Sequence, residues 1–186
     1  MNKTSLHQQL SALLQGTARG DDQAFQKLYE LVNQRVYFYL YRILGCKETA
    51  EDVLVETFTV VWQSAGSFAG KSAVTTWIFG IARNLALNEM RRWKSHDQLD
   101  NHPDLAGVSR QEMEQTDRAR VVGLALAEIS PRHKEVLDLV FFHEMTYPEI
   151  SELIEIPVGT VKTRIFHAKA ALRQALAEMK VKRDDL

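Results

Sequence analysis

Residues 157–173 read PVGTVKTRIFHAKAALR, a segment with four basic residues and no acidic one. Wound as a helix at about 100° per residue, it brings its apolar residues onto one narrow stripe, namely Val161, Ile165, Ala168 and Leu172. A second face carries Lys162, Phe166, Lys169 and Arg173, with Thr163 and His167 beside them. The stripe predicts packing against a protein core. The second face predicts contact with a polyanion, because it combines cations for phosphates with side chains that reach base edges.

The segment before this helix has the sequence of a short capped helix. Thr146 and Glu149 have capping-box spacing, and Pro148 stands in the first turn, where its missing N–H does no harm. The apolar residues that follow at helical spacing are Ile150, Leu153 and Ile154. Residues 155–157 then lead into the basic helix. Two short helices, a tight turn and basic residues on the second helix predict a DNA-binding helix-turn-helix.

Charge divides the chain into three parts. Its 186 residues are 45% hydrophobic and 25% charged, as in an ordinary globular protein, and the net charge is −1. Residues 1–94 carry 11 basic and 8 acidic residues, residues 95–117 carry 1 and 6, and residues 118–186 carry 11 and 10. The middle segment also lacks helical periodicity. We therefore predict an all-α protein with two small helical domains, 1–94 and 118–186, joined by a flexible acidic linker at 95–117.

Composition also narrows the classes of function. Cys46 is the single cysteine, so an intrachain disulfide is impossible, which fits a reducing cytosol. The N-terminus is polar, without a signal-peptide core, and no apolar run approaches the roughly 18 residues of a membrane span. The six His and one Cys lack metal-ligand spacing. We expect a cytoplasmic protein that binds neither a metal nor another cofactor and does not insert into a membrane.

Helical periodicity extends through both predicted domains. A long helix is expected from Asp21 or Asp22 to Gly45, and Ser130 is expected to cap a helix that starts at Pro131. The remaining predicted helices cover about residues 5–18, 47–65, 73–94, 111–128, 146–154 and 158–179, and the helix from Pro131 is expected to end near 143.

The helix predicted at 73–94 mixes amides, an aromatic ring and cations. Trp77, Asn84 and Arg91 recur every seven residues, and Asn88 lies alongside. Asn is a mediocre helix former, so two on one face point to a polar contact. Amides and a Trp beside cations suit unstacked bases. The cations alone have a second explanation, because they also suit the dipole at a helix C-terminus. The buried stripe of this helix is expected at Ile78, Ala82 and Leu85.

The helix predicted at 47–65 begins with acidic residues and carries surplus apolar ones. The helix dipole alone accounts for acids in a first turn. The apolar residues exceed what one buried face requires, and they are Val53, Leu54, Val55, Phe58, Val60, Val61 and Trp62. Either this helix is buried on several sides or part of it meets a partner.

Three segments together resemble extracytoplasmic-function (ECF) sigma factors of bacterial RNA polymerase. AEDVLVETF at 50–58, followed by Trp62, resembles the polymerase-clamp helix of that family. TWIFGIARN at 76–84 resembles its promoter-melting helix. YPEI at 147–150 with PVGTVKTR at 157–164 resembles its fourth-region helix-turn-helix. The three motifs occur in the family's order over about residues 20–178.

The resemblance implies a region 2 domain at 1–94, a region 4 domain at 118–186 and a role in promoter recognition. The polymerase-binding residues would be Glu51, Asp52, Glu56 and Phe58. The residues that bind and melt the minus-ten element would be Phe68, Trp77, Asn84, Asn88, Arg91 and Arg92, with Lys94 on the backbone. The residues at the minus-thirty-five element would be Lys162, Thr163, Arg164, Phe166, His167 and Lys169.

The resemblance also implies partners. These are promoter DNA, the beta-prime clamp and beta flap of core RNA polymerase, and an anti-sigma factor that holds the protein inactive. The genes it controls would belong to a stress or envelope response. No catalytic residue and no obligate homo-oligomer are implied.

Five positions depart from the family's usual pattern. Val55 replaces a Gln, Val60 replaces a basic or polar residue, and Ala69 stands where an Arg often follows the loop Phe. Glu155 replaces a turn Gly, which costs about 1 kcal/mol if that residue adopts a left-handed backbone. His167 replaces an Arg and so weakens one positive contact.

Two other classes remain as alternatives. A plain helix-turn-helix regulator would dimerise and bind duplex DNA without polymerase, but it leaves the acidic helix unexplained. An enzyme would need a phosphate loop, a nucleophile elbow or paired carboxylates. Glu51 and Asp52 are adjacent, so on a helix they diverge by about 100° and cannot share a site.

Overall fold

The computed structural model describes the backbone of residues 3–96 and 117–184, and the side chains of 5–93 and 121–179. Every regular element in these ranges is helical, as predicted. The helices are α1 (Lys3–Ala18), α2 (Asp22–Leu44), α3 (Lys47–Ser64), a 3-10 turn (Ala65–Ser67), α4 (Val74–His96), α5 (Asp117–Glu128), α6 (Pro131–Phe141), α7 (Tyr147–Leu153) and α8 (Val158–Asp184). The predicted linker at 95–117, and the predicted helical residues 111–116, lie almost wholly outside the described residues.

The chain forms two compact units, Met1–Pro103 and Asp104–Leu186. In the first unit, α2 lies against α1, α3 and α4. Its buried side chains include Leu28, Val36, Tyr39 and Leu40, each 0% exposed. Because α2 meets a helix on three sides, an apolar stripe wider than usual is needed.

Both ends of α2 are closed as the sequence predicts. Asp21 is the N-cap, and its Oδ1 accepts from the backbone N–H of Gln23 at 2.9 Å and of Ala24 at 3.1 Å. Gly45 ends the helix in the left-handed region with φ 70°, and its N–H donates to the Tyr41 carbonyl at 2.8 Å.

The buried stripe of α4 differs from the prediction. Ile78 and Ala82 are buried, but Leu85 is only half-buried. Phe79 and Ala86, both 0% exposed, are buried instead. The reason is that α4 packs against both α2 and α3, which rotates its buried face by about one residue.

In the second unit, α8 packs against α5, α6 and α7. Val161 and Ala168 are 0% exposed and Ile165 is 2% exposed, which confirms three of the four predicted stripe residues. Leu172 is half-buried, and Ala175 at 7% exposed continues the stripe in its place.

The start of α7 is the predicted capping box. The backbone N–H of Thr146 donates to Glu149 Oε2 at 2.7 Å, and the backbone N–H of Glu149 donates to Thr146 Oγ1 at 3.5 Å. The start of α6 differs, since Ser130 is the N-cap by position but its hydroxyl makes no capping bond. Its carbonyl accepts instead from the N–H of His133 at 2.9 Å and of Lys134 at 3.0 Å.

Helix α6 ends at Phe141, two residues before the predicted end. Just beyond it, the backbone N–H of His143 donates to the Asp138 carbonyl at 3.2 Å. The two side chains also pair, with His143 Nε2 3.1 Å from Asp138 Oδ2, and they are 4% and 7% exposed. This buried pair ties the end of α6 to the turn that leads into α7.

The turn between α7 and α8 holds Glu155 at φ 54°, so this position does adopt the left-handed conformation in which Glu costs about 1 kcal/mol relative to Gly. Ser151 Oγ donates to the Ile156 carbonyl at 2.6 Å, and the Ile156 N–H donates to the Ser151 carbonyl at 3.1 Å. These two bonds close the turn around Glu155 and hold it in a strained region. Glu144, at φ 51°, is a second left-handed residue that the sequence did not reveal.

Within the residues described, no helix is both long and apolar enough to cross a membrane. The same part of the chain contains no group of three or more His, Cys, Asp or Glu residues placed to hold a metal ion.

Candidate nucleic-acid interfaces

The solvent face of α8 is the first candidate interface. Five of the six predicted minus-thirty-five residues are exposed, namely Lys162, Thr163, Phe166, His167 and Lys169, and Arg164 is half-exposed. Phe166 is 69% exposed, which is unusual for a large apolar side chain. The opposite side of the helix is buried against α5, α6 and α7. The helix therefore presents one face of cations, aromatic rings and a hydroxyl to solvent, as a groove-binding helix does.

Local contacts orient several of these side chains. The Thr163 hydroxyl donates to the Gly159 carbonyl at 3.1 Å, which fixes its rotamer on the exposed face. The Phe166 and His167 rings meet edge to face with centroids 5.5 Å apart. Lys169 Nζ lies 5.3 Å from the centroid of the Phe141 ring at the end of α6. The Phe141 contact was not predicted, because no periodicity links α6 to α8.

The second candidate interface lies on the first unit, at the start of α4. The rings of Phe68 and Trp77 meet at 5.3 Å with an interplanar angle of 53°. Phe68 follows the 3-10 turn, and its N–H donates to the Ala65 carbonyl at 3.3 Å. Both rings are half-buried. The structure thus brings together two residues of the predicted minus-ten set.

The remaining predicted minus-ten residues follow along the same helix. Asn84, Asn88, Arg91 and Arg92 are all exposed on α4, and Arg92 pairs with Glu89 at 3.2 Å. From Trp77 to Arg91 the helix rises by about 21 Å, enough for several unstacked nucleotides. Lys94 was also predicted to contact the DNA backbone, but its side chain lies outside the described residues.

The acidic face of α3 is a third surface. Glu51, Asp52 and Glu56 are exposed as predicted, and Lys47 Nζ lies 3.8 Å from Glu51 Oε1. Glu48 lies near the start of α3, and its pKa is lowered. The main cause is a hydrogen bond from the backbone N–H of Glu48 to its carboxylate, and the next is a hydrogen bond from the Cys46 thiol. A carboxylate there also suits the helix dipole.

Phe58 was predicted to belong to this polymerase-binding surface, and its position in the structure contradicts that. Its side chain is only 3% exposed, and its ring packs edge to face on Tyr29 at 4.7 Å. It supports α3 from the core and is not available as a surface contact. The apolar residues that do reach solvent on α3 are Val55, 68% exposed, and Trp62, 37% exposed. Of the two explanations for the surplus apolar residues, burial therefore accounts for most of them but not for Val55 and Trp62.

Comparison with known proteins gives these surfaces a family context. The pattern described as Sigma-70 region 2 matches residues 28–96, and that described as Sigma-70, region 4 matches residues 119–172. The chain is 31% identical over 176 residues to the ECF RNA polymerase sigma factor SigW of Bacillus subtilis, with 87% of this chain and 93% of SigW covered. It is 30% identical over 164 residues to the ECF sigma factor RpoE of Cereibacter sphaeroides, covering 84% of this chain and 88% of that protein.

Solved structures agree on the fold. The structure of CnrH in complex with the cytosolic domain of CnrY has a TM-score of 0.70 and 20% identity, and covers 91% of this chain and 98% of that one. The sigma factor RpoE in complex with the anti-sigma factor NepR from Bartonella quintana has a TM-score of 0.65 and 21% identity, and covers 82% of this chain and 96% of that one.

The two helical units and their helix-turn-helix define a transcription initiation factor that binds core RNA polymerase and promoter DNA. This chain belongs to the sigma-70 family of RNA polymerase sigma factors, in its ECF group.

Proposed function

We propose that the exposed face of α8 reads the minus-thirty-five element in the major groove. The observation that carries this assignment is the exposure of Lys162, Phe166 and Lys169 on the side opposite the buried stripe. Cations there would neutralise phosphates, and Thr163 and Phe166 would contact base edges and thymine methyl groups. Arg164 is half-exposed at the edge of this face and would contact the DNA backbone.

The Phe68–Trp77 pair would act on the minus-ten element. An unpaired base needs a flat apolar surface to replace its stacking neighbours, and two adjoining half-buried rings supply one. Asn84 and Asn88 would then hydrogen-bond to base edges, and Arg91 would hold the displaced backbone. Removing a base from the stack costs a few kcal/mol, so an aromatic surface that exists before melting lowers the barrier.

The protein would bind core polymerase through both of its units. Glu51, Asp52 and Glu56 would pair with basic residues of the beta-prime clamp, and the second unit would contact the beta flap. Without Phe58, the apolar part of the clamp contact falls to Val55 at the centre of the acidic face. The protein would act in the cytoplasm, without catalytic chemistry of its own and without an obligate homo-oligomer.

An anti-sigma factor would hold the protein inactive until a stress or envelope signal arrives. Support comes from the structural likeness to RpoE of Bartonella quintana, which was solved with the anti-sigma factor NepR. In this chain, Val55 is an exposed apolar side chain where the family usually has a polar one, and it would favour an apolar partner segment.

Co-purification tests this proposal against the rival of a plain helix-turn-helix regulator. The full chain is mixed with core RNA polymerase and promoter DNA, and complexes are separated by size. A sigma factor elutes with the core enzyme and needs it for tight promoter binding. A chain that dimerises and binds the duplex equally well without polymerase would support the regulator.

A further inference from the structure

Helix α1 has no role in any of the surfaces described so far. It also precedes the family match, which begins at residue 28. Yet α1 is firmly part of the first unit, since Leu10 and Leu14 are each 2% exposed and Thr17 is 3% exposed. The Thr17 hydroxyl donates to the Leu13 carbonyl at 2.9 Å, so its burial leaves no open hydrogen bond. These buried residues fix α1 in the first unit, so α1 can support the elements that it contacts.

Besides α2, helix α1 packs against the 3-10 turn Ala65–Ser67 and against α4. Ala65 is 4% exposed. The next residue after the turn is Phe68, whose N–H bonds to the Ala65 carbonyl, and the Phe68 ring rests on Trp77 of α4. Helix α1 thus contacts both the segment that carries Phe68 and the helix that carries Trp77.

The 3-10 turn has little stability of its own. A single such turn has poor hydrogen-bond geometry, and here it is held by the Phe68 N–H at 3.3 Å and by the Ser67 hydroxyl, which donates to the Ser64 carbonyl at 2.8 Å. A side chain built on Gly66 would meet no atom within 4 Å, so that side of the turn is open. Packing from α1, together with the contact with α3, therefore fixes the position of the turn.

Helix α1 approaches α2 very closely at Gly16. A Cβ on Gly16 would lie 2.6 Å from the Cβ of Ala24. Neither atom has a torsion that could move it away, so any side chain at position 16 must shift one helix relative to the other.

We propose that α1 is a positioning element for the Phe68–Trp77 pair, and that the Gly16–Ala24 contact sets its position. The proposal rests on the proposed role of Phe68 and Trp77 at the minus-ten element. If α1 moves, the 3-10 turn loses its support and the Phe68 ring leaves Trp77.

The test uses the full chain with Trp62 and Trp93 replaced by Phe, so that Trp77 is the single tryptophan and can be excited selectively. The test variant is Gly16→Ala. The rescue variant is Gly16→Ala with Ala24→Gly, which restores the clearance between the helices. The matched control is Gln15→Ala, on the exposed side of α1.

Acrylamide quenching of Trp77 is measured first, in the free protein. We expect the quenching constant to rise by about twofold in Gly16→Ala, because the overpacked helix is displaced, and to return in the rescue variant. Gln15→Ala stays at the parent value. Unchanged quenching in a Gly16→Ala protein whose circular dichroism shows native helix overturns the proposal. If Gly16→Ala does not fold, Leu14→Val replaces it and is judged by the same criterion.

Open-complex formation with core polymerase separates this proposal from the one on which it rests. We expect Gly16→Ala to reduce permanganate-reactive thymines by several fold while polymerase binding is unchanged, and the rescue variant to recover them. Raised quenching with intact melting supports the positioning by α1 but contradicts the role of Phe68 and Trp77. Lost melting with unchanged quenching contradicts the positioning itself.

Discussion

Lys169 Nζ of α8 lies 5.3 Å from the centroid of the Phe141 ring of α6. The contact joins the proposed DNA-binding face to an aromatic side chain that is itself 58% exposed. The interaction of a cation with an exposed ring is worth about 0.5–1 kcal/mol, so the ring orients the ammonium group but leaves it free to move to a DNA phosphate.

Phe141→Leu tests what that contact contributes. Leu keeps the apolar bulk but removes the ring, so we expect promoter affinity to change by less than about fivefold, in proportion to a contact of 1 kcal/mol or less. Lys169→Ala removes the charge and is expected to weaken binding more. Equilibrium titration by fluorescence anisotropy measures both, and an equal loss in the two variants would show that the ring itself contacts DNA.

Lys162→Ala should weaken promoter binding and make the negative slope of log K against log salt shallower by about one unit, because one phosphate contact is lost. His167→Arg should do the opposite and make the slope steeper by about one unit, since it adds a permanent cation beside the same face. Titrations at several salt concentrations give the slope. A slope that does not move in either variant would remove both residues from the phosphate-binding set.

Asn84→Ala should impair open-complex formation more than closed-complex binding. The residue is exposed and Ala is the better helix former, so lost stability cannot explain the defect. Permanganate footprinting reports melting and a gel shift reports closed binding. Gln34→Ala, an exposed amide on α2, is the control and should change neither. Equal losses in the two assays would argue against a melting role for Asn84.

Glu155→Gly should stabilise the protein by about 1 kcal/mol, because Glu155 sits at φ 54°, where only Gly is free of strain. Glu152→Gly in the neighbouring helix should destabilise by a similar amount, since Gly is a poor helix former. Urea unfolding measures the free energy of both. A destabilised Glu155→Gly variant would mean that the Glu side chain, rather than the turn geometry, stabilises this position.

Lys134→Met should stabilise the second unit at neutral pH. Burial lowers the pKa of Lys134 below the ordinary lysine value, although nearby Glu128 acts in the opposite direction. A depressed lysine pKa means that the unfolded chain holds the proton more tightly, so the parent gains stability as pH rises through the folded-state pKa. The advantage of the Met variant should therefore shrink at alkaline pH. Thermal unfolding at neutral and alkaline pH measures it, with the exposed Lys162→Met as control.

The sequence predicted the helices well where the chain carries local signals. Asp21 and Gly45 bound α2 as expected, and the Thr146–Glu149 capping box starts α7. These signals work because a cap or a left-handed glycine acts within a few residues of its own position. The family resemblance marked Glu155 as a departure from Gly that would cost free energy in a left-handed backbone, and Glu155 does adopt that backbone.

Contacts between elements were harder to predict. Periodicity identifies an apolar face to within about one residue, which is why Leu85 was expected to be buried in place of Ala86. Phe58 was assigned to the polymerase-binding surface only through the resemblance of residues 50–58 to the clamp helix, whereas its ring turns inward to Tyr29. The contact of Phe68 with Trp77 could not be predicted from periodicity, because Phe68 lies in the irregular segment before α4 and Trp77 lies within α4.

Transcription start mapping tests the central claim most directly, namely that this chain redirects core RNA polymerase to its own promoters. The purified full chain is added to core enzyme on genomic DNA, and the 5′ ends of the transcripts are compared with those made by core enzyme alone. The account predicts a small new set of start sites that share upstream elements and disappear when Lys162, Thr163 and Phe166 are replaced together by Ala. Start sites identical with and without the chain would contradict it.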